Sequence, residues 1–399
     1  MKNTYIVYAK RTPMGKINGI LSPVRVDDLM SYLFADVKSW ANFDLSEVDD
    51  VIVGCANQAG EDNRNLARMS LLLAGFPMDV PGTTINRLCG SSLDAVIGAA
   101  GRISMGLADA IVVGGAESMT RAPYALSKTE RAHGRDQKLY DTSLGWRFPN
   151  PRMKEMFPLF AMGETAEEVA ELHKVSRDDQ DEFAYNSHQK ALKAQREGAF
   201  KDEILPVKIK TRKETIIVDT DECPRPDTNI EKLGKLRAVF REGGSVTAGN
   251  SSPMNDGASC VVVVSESFLK KHNLKPMLKI TGAGIRGVHP NTMGLGPIFA
   301  TRNLCERFDK KVSDFDIIEL NEAFAAQSLA CIRELELDPS IVNMKGGAIA
   351  LGHPLGCSGA RILTTLAYSM RDNKKLKQGL ATMCIGVGQG IALSVENCN

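Results

Sequence analysis

Two cysteines, a histidine and an asparagine stand in settings where thiol and proton chemistry can run. Cys89 lies in INRLCGSSLDAV (85–96), where a short strand-like segment passes through Gly90 and two serines into a helical pattern. Free amides and partial positive charge at a helix start favour thiolate over thiol and can face an oxyanion. The other reading of such a residue is a small buried apolar side chain. His353 sits among the glycines of GGAIALGHPLGCSG (346–359) and precedes a proline. A histidine there is a poor core filler, and its glycine neighbours let a substrate come close. Cys384 ends a strand-like run before the Gly-rich turn of MCIGVGQG (383–390). Asn321 and Glu322, in ELNEAFAAQ (319–327), mark a strand-to-helix junction where N-capping is the alternative role for the asparagine. Together these groups suit covalent chemistry by an activated sulfur with an oxyanion to stabilise.

The elements that must position them read as α/β. Strand-like runs occur at 5–9, 49–55, 109–115, 258–265, 315–321 and 379–386, with helical stretches such as GSSLDAVIGAAGRISMG and CSGARILTTLAYSMRD between them. The order strand, Gly-Ser turn, helix, strand, Gly-rich turn occurs twice, about 270 residues apart, far beyond a solenoid unit of about 20–50. A duplicated domain is expected. We place one copy at 1–120 with 246–273 and the other at 274–399. Residues 121–245 have another texture: an aromatic- and Met-rich stretch (133–163) expected to be a long ordered loop, then a charged amphipathic segment. TAEE (165–168) is expected to open one helix by a capping box, and SRDDQDEFA (176–184) a second.

The chain has 399 residues, with 49 basic and 48 acidic side chains. Such balance speaks against nucleic acid or an anionic membrane as the main partner. The longest apolar run, CVVVV (260–264), is strand-sized and cannot span a bilayer. Neither a secretory leader nor a peroxisomal address is expected from the two ends. Nine cysteines show no CxxC pair and no zinc-type cluster, so a metal is not expected and a reducing, cytoplasmic setting is. Cys55, Cys260, Cys305, Cys331 and Cys357 are expected to pack in the core. His133, His173, His188 and His272 are expected at solvated positions, and His289 is set apart from them by the PNTMGLGP stretch that follows it. GVGQG has no βαβ unit after it, which rejects NAD binding.

NRLCGSSLDAV, GGAESMT, SVTAGNSSPMNDGA, NEAFAAQ, GGAIALGHPLGCSGAR and CIGVGQG stand in the same order as in the thiolases, which the chain resembles over nearly its whole length. The resemblance implies the thiolase fold: two duplicated α/β domains with five-stranded mixed sheets, forming an α-β-α-β-α core, plus an inserted loop domain that binds CoA and acyl groups. It implies cleavage of 3-oxoacyl-CoA by CoA, or the reverse condensation, through an acyl-Cys89 intermediate. His353 then matches the residue that activates Cys89 and contributes to one oxyanion hole, and Asn321 the residue that holds a water in that hole. Cys384 matches the acid/base cysteine, and Gly386 with the Cys89 amide the second hole. Ser252 and Arg225 match positions that contact CoA. Coenzyme A is expected as substrate, with no permanently bound cofactor. A homodimer or homotetramer and a place in fatty-acid β-oxidation are further implied.

Thiolases restricted to acetoacetyl-CoA carry a histidine where LFAMGETAEE has Ala161, which argues against that restriction here. The stretch YDTSLGWRFPNPRMK is similar to thiolases acting on 3-oxoadipyl-CoA, whose terminal carboxylate Arg147 or Arg152 could meet; surface exposure is the plainer reading of either arginine. A non-catalytic acyl-CoA or lipid carrier would lack one of the reactive groups, and a decarboxylating condensing enzyme would not need Cys384.

Overall fold

The computed structural model describes residues 2–399. The first half contributes β1 (Thr4–Arg11), β2 (Asp50–Gly54), β3 (Gly82–Ile85), β4 (Ala110–Ser118) and β5 (Asn255–Ser265). The second adds β6 (Leu278–Gly287), β7 (Ile317–Leu320), β8 (Gln378–Ile385) and β9 (Gln389–Asn397). Their hydrogen-bonded order is β3-β2-β4-β5-β1-β6-β9-β8-β7, and Gly15–Lys16 pairs with β5 to complete a ten-stranded sheet. The halves join edge to edge, where β1 and β6 pair antiparallel at three positions.

Eight helices matter for the site: α1 (Val26–Trp40), α2 (Leu66–Leu73), α3 (Ser91–Ser104), α4 (Met162–Leu172), α5 (Arg177–Arg196), α6 (Gly296–Arg307), α7 (Ala325–Glu334) and α8 (Ser358–Asp372). Alternation along each strand sorts the core between two faces. Val261 and Val263 of β5 pack with Leu93 and Val96 of α3 and Leu363 of α8, whereas Val262 and Val264 share a cluster with Leu29 and Leu33 of α1. In β8, Ala381, Met383 and Ile385 face that same middle layer, and Leu380 packs with Leu304 of α6 and Ala330 of α7. The result is the expected α-β-α-β-α layering. Because its strands are covered on both faces, CVVVV is a continuous apolar run rather than an alternating one.

The middle helices touch at their starts. A Cβ on Gly359 would lie 2.4 Å from the Leu93 amide nitrogen, so only glycine allows this approach. The turns entering α3 and α8, which carry Cys89 and His353, are thereby brought to one end of the layer.

Two details differ from expectation. The second half has four regular strands instead of five, the fifth place holding only a parallel bridge between Ile318 and Val342. The Asn343 side chain takes over there: its Oδ1 accepts the Leu320 amide (2.9 Å) and its Nδ2 donates to the Leu320 carbonyl (2.8 Å), while its own φ of +47° leaves the strand region. Helix α4 starts at Met162, three residues before the expected Thr165. Glu164 caps it by accepting the Ala161 amide at 2.6 Å, and Thr165 Oγ1 instead donates back to the Met162 carbonyl. Helix α5 opens as expected, with Ser176 Oγ accepting the Asp179 amide at 3.1 Å.

Residues 121–245 include hairpins Tyr124–Leu126/Leu139–Asp141 and Val207–Lys210/Thr215–Val218, a short helix Pro151–Met156, α4 and α5. They are clamped to the core by Arg11, fully buried at the end of β1 and paired with Glu203 and Asp221 at 2.6 Å each. Losing one partner would leave a buried charge uncompensated.

Candidate active site

Between β3 and α3 the backbone turns sharply at Asn86–Gly90. Asn86 Oδ1 accepts the Leu88 amide (2.8 Å), and Ser91 Oγ accepts the Arg87 amide (2.9 Å) while donating to the Leu88 carbonyl (2.6 Å). These bonds hold Leu88 at φ +47°, and facing it across the site Val387 is held at +63°. Each such residue stores about 1–3 kcal/mol, sustained because surrounding contacts over-determine it. Cys89 and Gly386 are their immediate neighbours.

Cys89, Cys384, His353, Gly386 and Ser252 line one cavity of about 330 Å³. The two sulfurs, one from each half, therefore open onto the same space. Cys384 points away from Met383 and Ile385, toward Met293, Ala323 and Phe324, because strand alternation turns its side chain to the opposite face of β8. Phe240 and Phe324 meet edge to face on the cavity wall, with ring centroids 6.4 Å apart.

The electrostatics correct the expected thiolate. Burial pushes the Cys89 thiol up to about 11, outweighing hydrogen bonds from the Gly386 amide and its own amide that act the other way. Helix α3 begins two residues further on, at Ser91. Burial also drives His353 down to about 3, assisted by the Arg361 charge. Cys384 is raised well above an ordinary thiol, first by burial and then by the neighbouring Cys89 sulfur. At neutral pH the three groups are thiol, neutral imidazole and thiol.

His353 is aimed by groups that sequence reasoning missed. Its amide donates to Asn255 Oδ1 (2.9 Å), and Gly352 before it adopts φ +108°, with the Asn255 side chain 2.5 Å from where a Cβ would sit. Its Nδ1 lies 2.5 Å from Ser358 Oγ. That hydroxyl already donates to the Pro354 carbonyl at 2.9 Å, so it accepts from Nδ1–H and leaves Nε2 as the bare nitrogen. Ser358→Ala is expected to release this tautomer and lower kcat about tenfold, the worth of one hydrogen bond, with KM little changed. Steady-state kinetics checks it, and an unaltered kcat would refute it. The only sequence sign of Ser358 was its i+5 spacing from the histidine.

Asn321 is fully buried behind His353. Its Nδ2 stands 3.4 Å from Nε2 and 3.5 Å from Nδ1, and its Oδ1 has no protein partner. It is not an N-cap, since α7 begins four residues later at Ala325. Glu322 lies outside the cavity, holding Ser187 Oγ (2.6 Å), Asn343 Nδ2 (2.8 Å) and the Ile349 amide (3.2 Å). Arg225 is exposed and does not line the cavity. Its amide donates to Nδ1 of His188 at 3.2 Å. His188 is buried, contrary to its expected solvated position, and burial lowers it to about 4.

A second cavity of about 280 Å³ also reaches Cys89 and is lined in part by Glu117, Thr142, Trp146 and Arg147. Glu117 is another residue without an assigned role in the sequence. Its carboxylate accepts the amides of Ala56 (2.9 Å), Asn57 (3.0 Å) and Gly356 (2.8 Å), and burial raises it to about 7.

A site with a thiol, a neutral histidine and convergent amides is that of a thiol-dependent group-transfer enzyme. The family model for the thiolase N-terminal domain matches residues 4–267, and that for the C-terminal domain matches 274–397. The chain belongs to the thiolase family and is an acyltransferase. It is 52% identical over 400 residues to a beta-ketoadipyl-CoA thiolase of Acinetobacter baylyi, covering 99% of this chain and 100% of that one. The 3-oxoadipyl-CoA/3-oxo-5,6-dehydrosuberyl-CoA thiolase of Escherichia coli is 49% identical with the same coverage. Human mitochondrial 3-ketoacyl-CoA thiolase, solved in complex with CoA, superposes with a TM-score of 0.91 at 38% identity, covering 99% of this chain and 98% of that one. Among the described residues no helix is long and apolar enough to cross a membrane.

Proposed function

We propose that this thiolase cleaves 3-oxoacyl-CoA with CoA, or runs the reverse condensation, with Cys89 as acyl carrier and Cys384 as proton carrier. The opening of both sulfurs onto one cavity carries this reading. Nε2 of neutral His353 takes the Cys89 proton as the sulfur attacks C3. With the thiol raised and the imidazole lowered, a resting ion pair is disfavoured, so transfer accompanies attack. The adduct collapses to acyl-Cys89 and the enolate of acetyl-CoA, whose oxygen is held by His353 and a water on Asn321. Cys384 delivers a proton to the enolate carbon. CoA then gives its thiol proton to Cys384 and attacks the acyl carbonyl, whose oxyanion is held by the amides of Gly386 and Cys89. Their aim at the Cys89 sulfur supports that role. Collapse breaks the bond from the acyl carbon to the Cys89 sulfur, which leaves and takes its proton back from His353. Ser252 contacts pantetheine from the cavity wall, and Arg225 meets the nucleotide end of CoA outside it.

In the same reading, 1–120 with 246–273 and 274–399 are the duplicated domains, and 121–245 is the loop domain. Nine free cysteines support a reducing, cytoplasmic setting. Edge strand β3, half-buried along its length, supports a homodimer or homotetramer. A second reading, preference for 3-oxoadipyl-CoA, is favoured by the names of the relatives about half identical to this chain. Measuring kcat/KM for acetoacetyl-, 3-oxohexanoyl- and 3-oxoadipyl-CoA tests both. We expect both six-carbon chains to be cleaved; a strong preference for acetoacetyl-CoA would refute the reading of Ala161 as an unrestrictive position.

A further inference from the structure

We propose that Arg147 binds the far end of the acyl chain, and that the cavity on its side of Cys89 is built for 3-oxoacyl chains ending in a carboxylate. This rests on the thiolase reading of the site. The two cavities meet at Cys89 and share Leu144, Gly145, Met162, Leu355 and Gly386. His353, Cys384 and Ser252 line one of them, so a substrate whose C3 sits on the Cys89 sulfur places its thioester arm there and its acyl arm in the other. Leu88, Leu144, Trp146 and Met162 give the acyl cavity walls suited to methylenes.

Its lining contains two charged residues, Glu117 and Arg147. The Glu117 oxygens are occupied by three backbone amides. Arg147 is half-buried and enters no ion pair among the described residues. Its Nη1 donates to the Thr142 carbonyl (2.8 Å) and its Nη2 to the Asn57 carbonyl (3.1 Å). Two neutral acceptors fix the plane of the guanidinium, while its remaining donors and its whole charge stay unmatched. A partly desolvated cation beside an apolar cavity gains most from an anion that enters with the ligand, and the planar fork suits a carboxylate. Glu117 opposes such an anion only weakly, since burial raises it to about 7 and it carries less than a full charge at neutral pH. Asn57 links the two: its amide holds Glu117 and its carbonyl holds Arg147. Arg152 is exposed and outside the cavity wall.

The test uses the full-length protein and two CoA thioesters of equal chain length, 3-oxoadipyl-CoA and 3-oxohexanoyl-CoA. Unsubstituted protein is expected to favour the carboxylate-ended chain. Arg147→Gln, which retains an N–H donor for the carbonyls but not the charge, should cut the ratio of the two kcat/KM values about 30- to 100-fold, mainly through KM. Arg147→Lys should fall between. An unchanged ratio, a parallel loss on both substrates, or an initial preference for the methyl-ended chain would overturn the proposal. That last measurement needs no variant, so a misfolded glutamine protein leaves the proposal exposed. Failure of the unsubstituted protein to cleave either thioester would instead count against the thiolase reading.

Discussion

Cys89→Ala is expected to lower the thiolysis rate by about 10⁵-fold and to abolish the acyl adduct that acetyl-CoA leaves on the unsubstituted protein. The reasoning begins with the turn. Leu88 and Val387 hold strained backbones on either side of the site, and the amides of Cys89 and Gly386 converge on one sulfur. No other thiol has that setting: Cys55, Cys260, Cys331 and Cys357 are buried and absent from the walls of both cavities. Cys384 shares the cavity, but burial and the neighbouring Cys89 sulfur raise its thiol well above an ordinary one. Alanine keeps the turn and removes only the sulfur, so the fold should survive. Intact-protein mass spectrometry after incubation with acetyl-CoA reads the adduct directly. Residual activity above about 1% in the variant, or acylation of another residue, would end the assignment; so would absence of any adduct on the unsubstituted protein, as a carrier would show.

Cys384→Ala is expected to leave Cys89 able to take up an acyl group while carbon–carbon cleavage falls by about 10²–10⁴-fold, the usual worth of a positioned acid or base. The asymmetry has a chemical origin. A free thiol such as that of CoA ionises near pH 8.5 and can lose its proton without help. The acetyl-CoA enolate has no comparable route, because its carbon must receive a proton from an acid positioned beside it. Burial and the Cys89 sulfur keep Cys384 protonated, which is the state an acid must be in before the bond breaks. Comparing acyl labelling of Cys89 with thiolysis of 3-oxohexanoyl-CoA in the same variant separates the steps. Equal losses in both would mean that Cys384 shapes the cavity without carrying protons.

Much of the architecture was legible in the chain because the signals are local. Strand runs, the Gly-Ser turns into α3 and α8, and the serine that opens α5 each depend on a few neighbouring residues. The motifs around Cys89, His353 and Cys384 were equally visible, since tight turns and close backbone approach demand particular residue types at particular spacings. Tertiary structure decided what depends on surroundings. Local sequence favoured a Cys89 thiolate, but the surrounding walls desolvate the sulfur and keep it a thiol. The free nitrogen of His353 follows from Ser358, whose hydroxyl is committed to Pro354 only once α8 has begun. Asn343 displaced an expected strand by inserting its side chain into the ladder. Arg147 and Arg152 were indistinguishable as sequence; only the folded loop turns one toward the acyl cavity and the other toward solvent. Periodicity and turn chemistry are written in adjacent residues, whereas protonation, tautomer and cavity shape come from atoms distant in the chain and near in space.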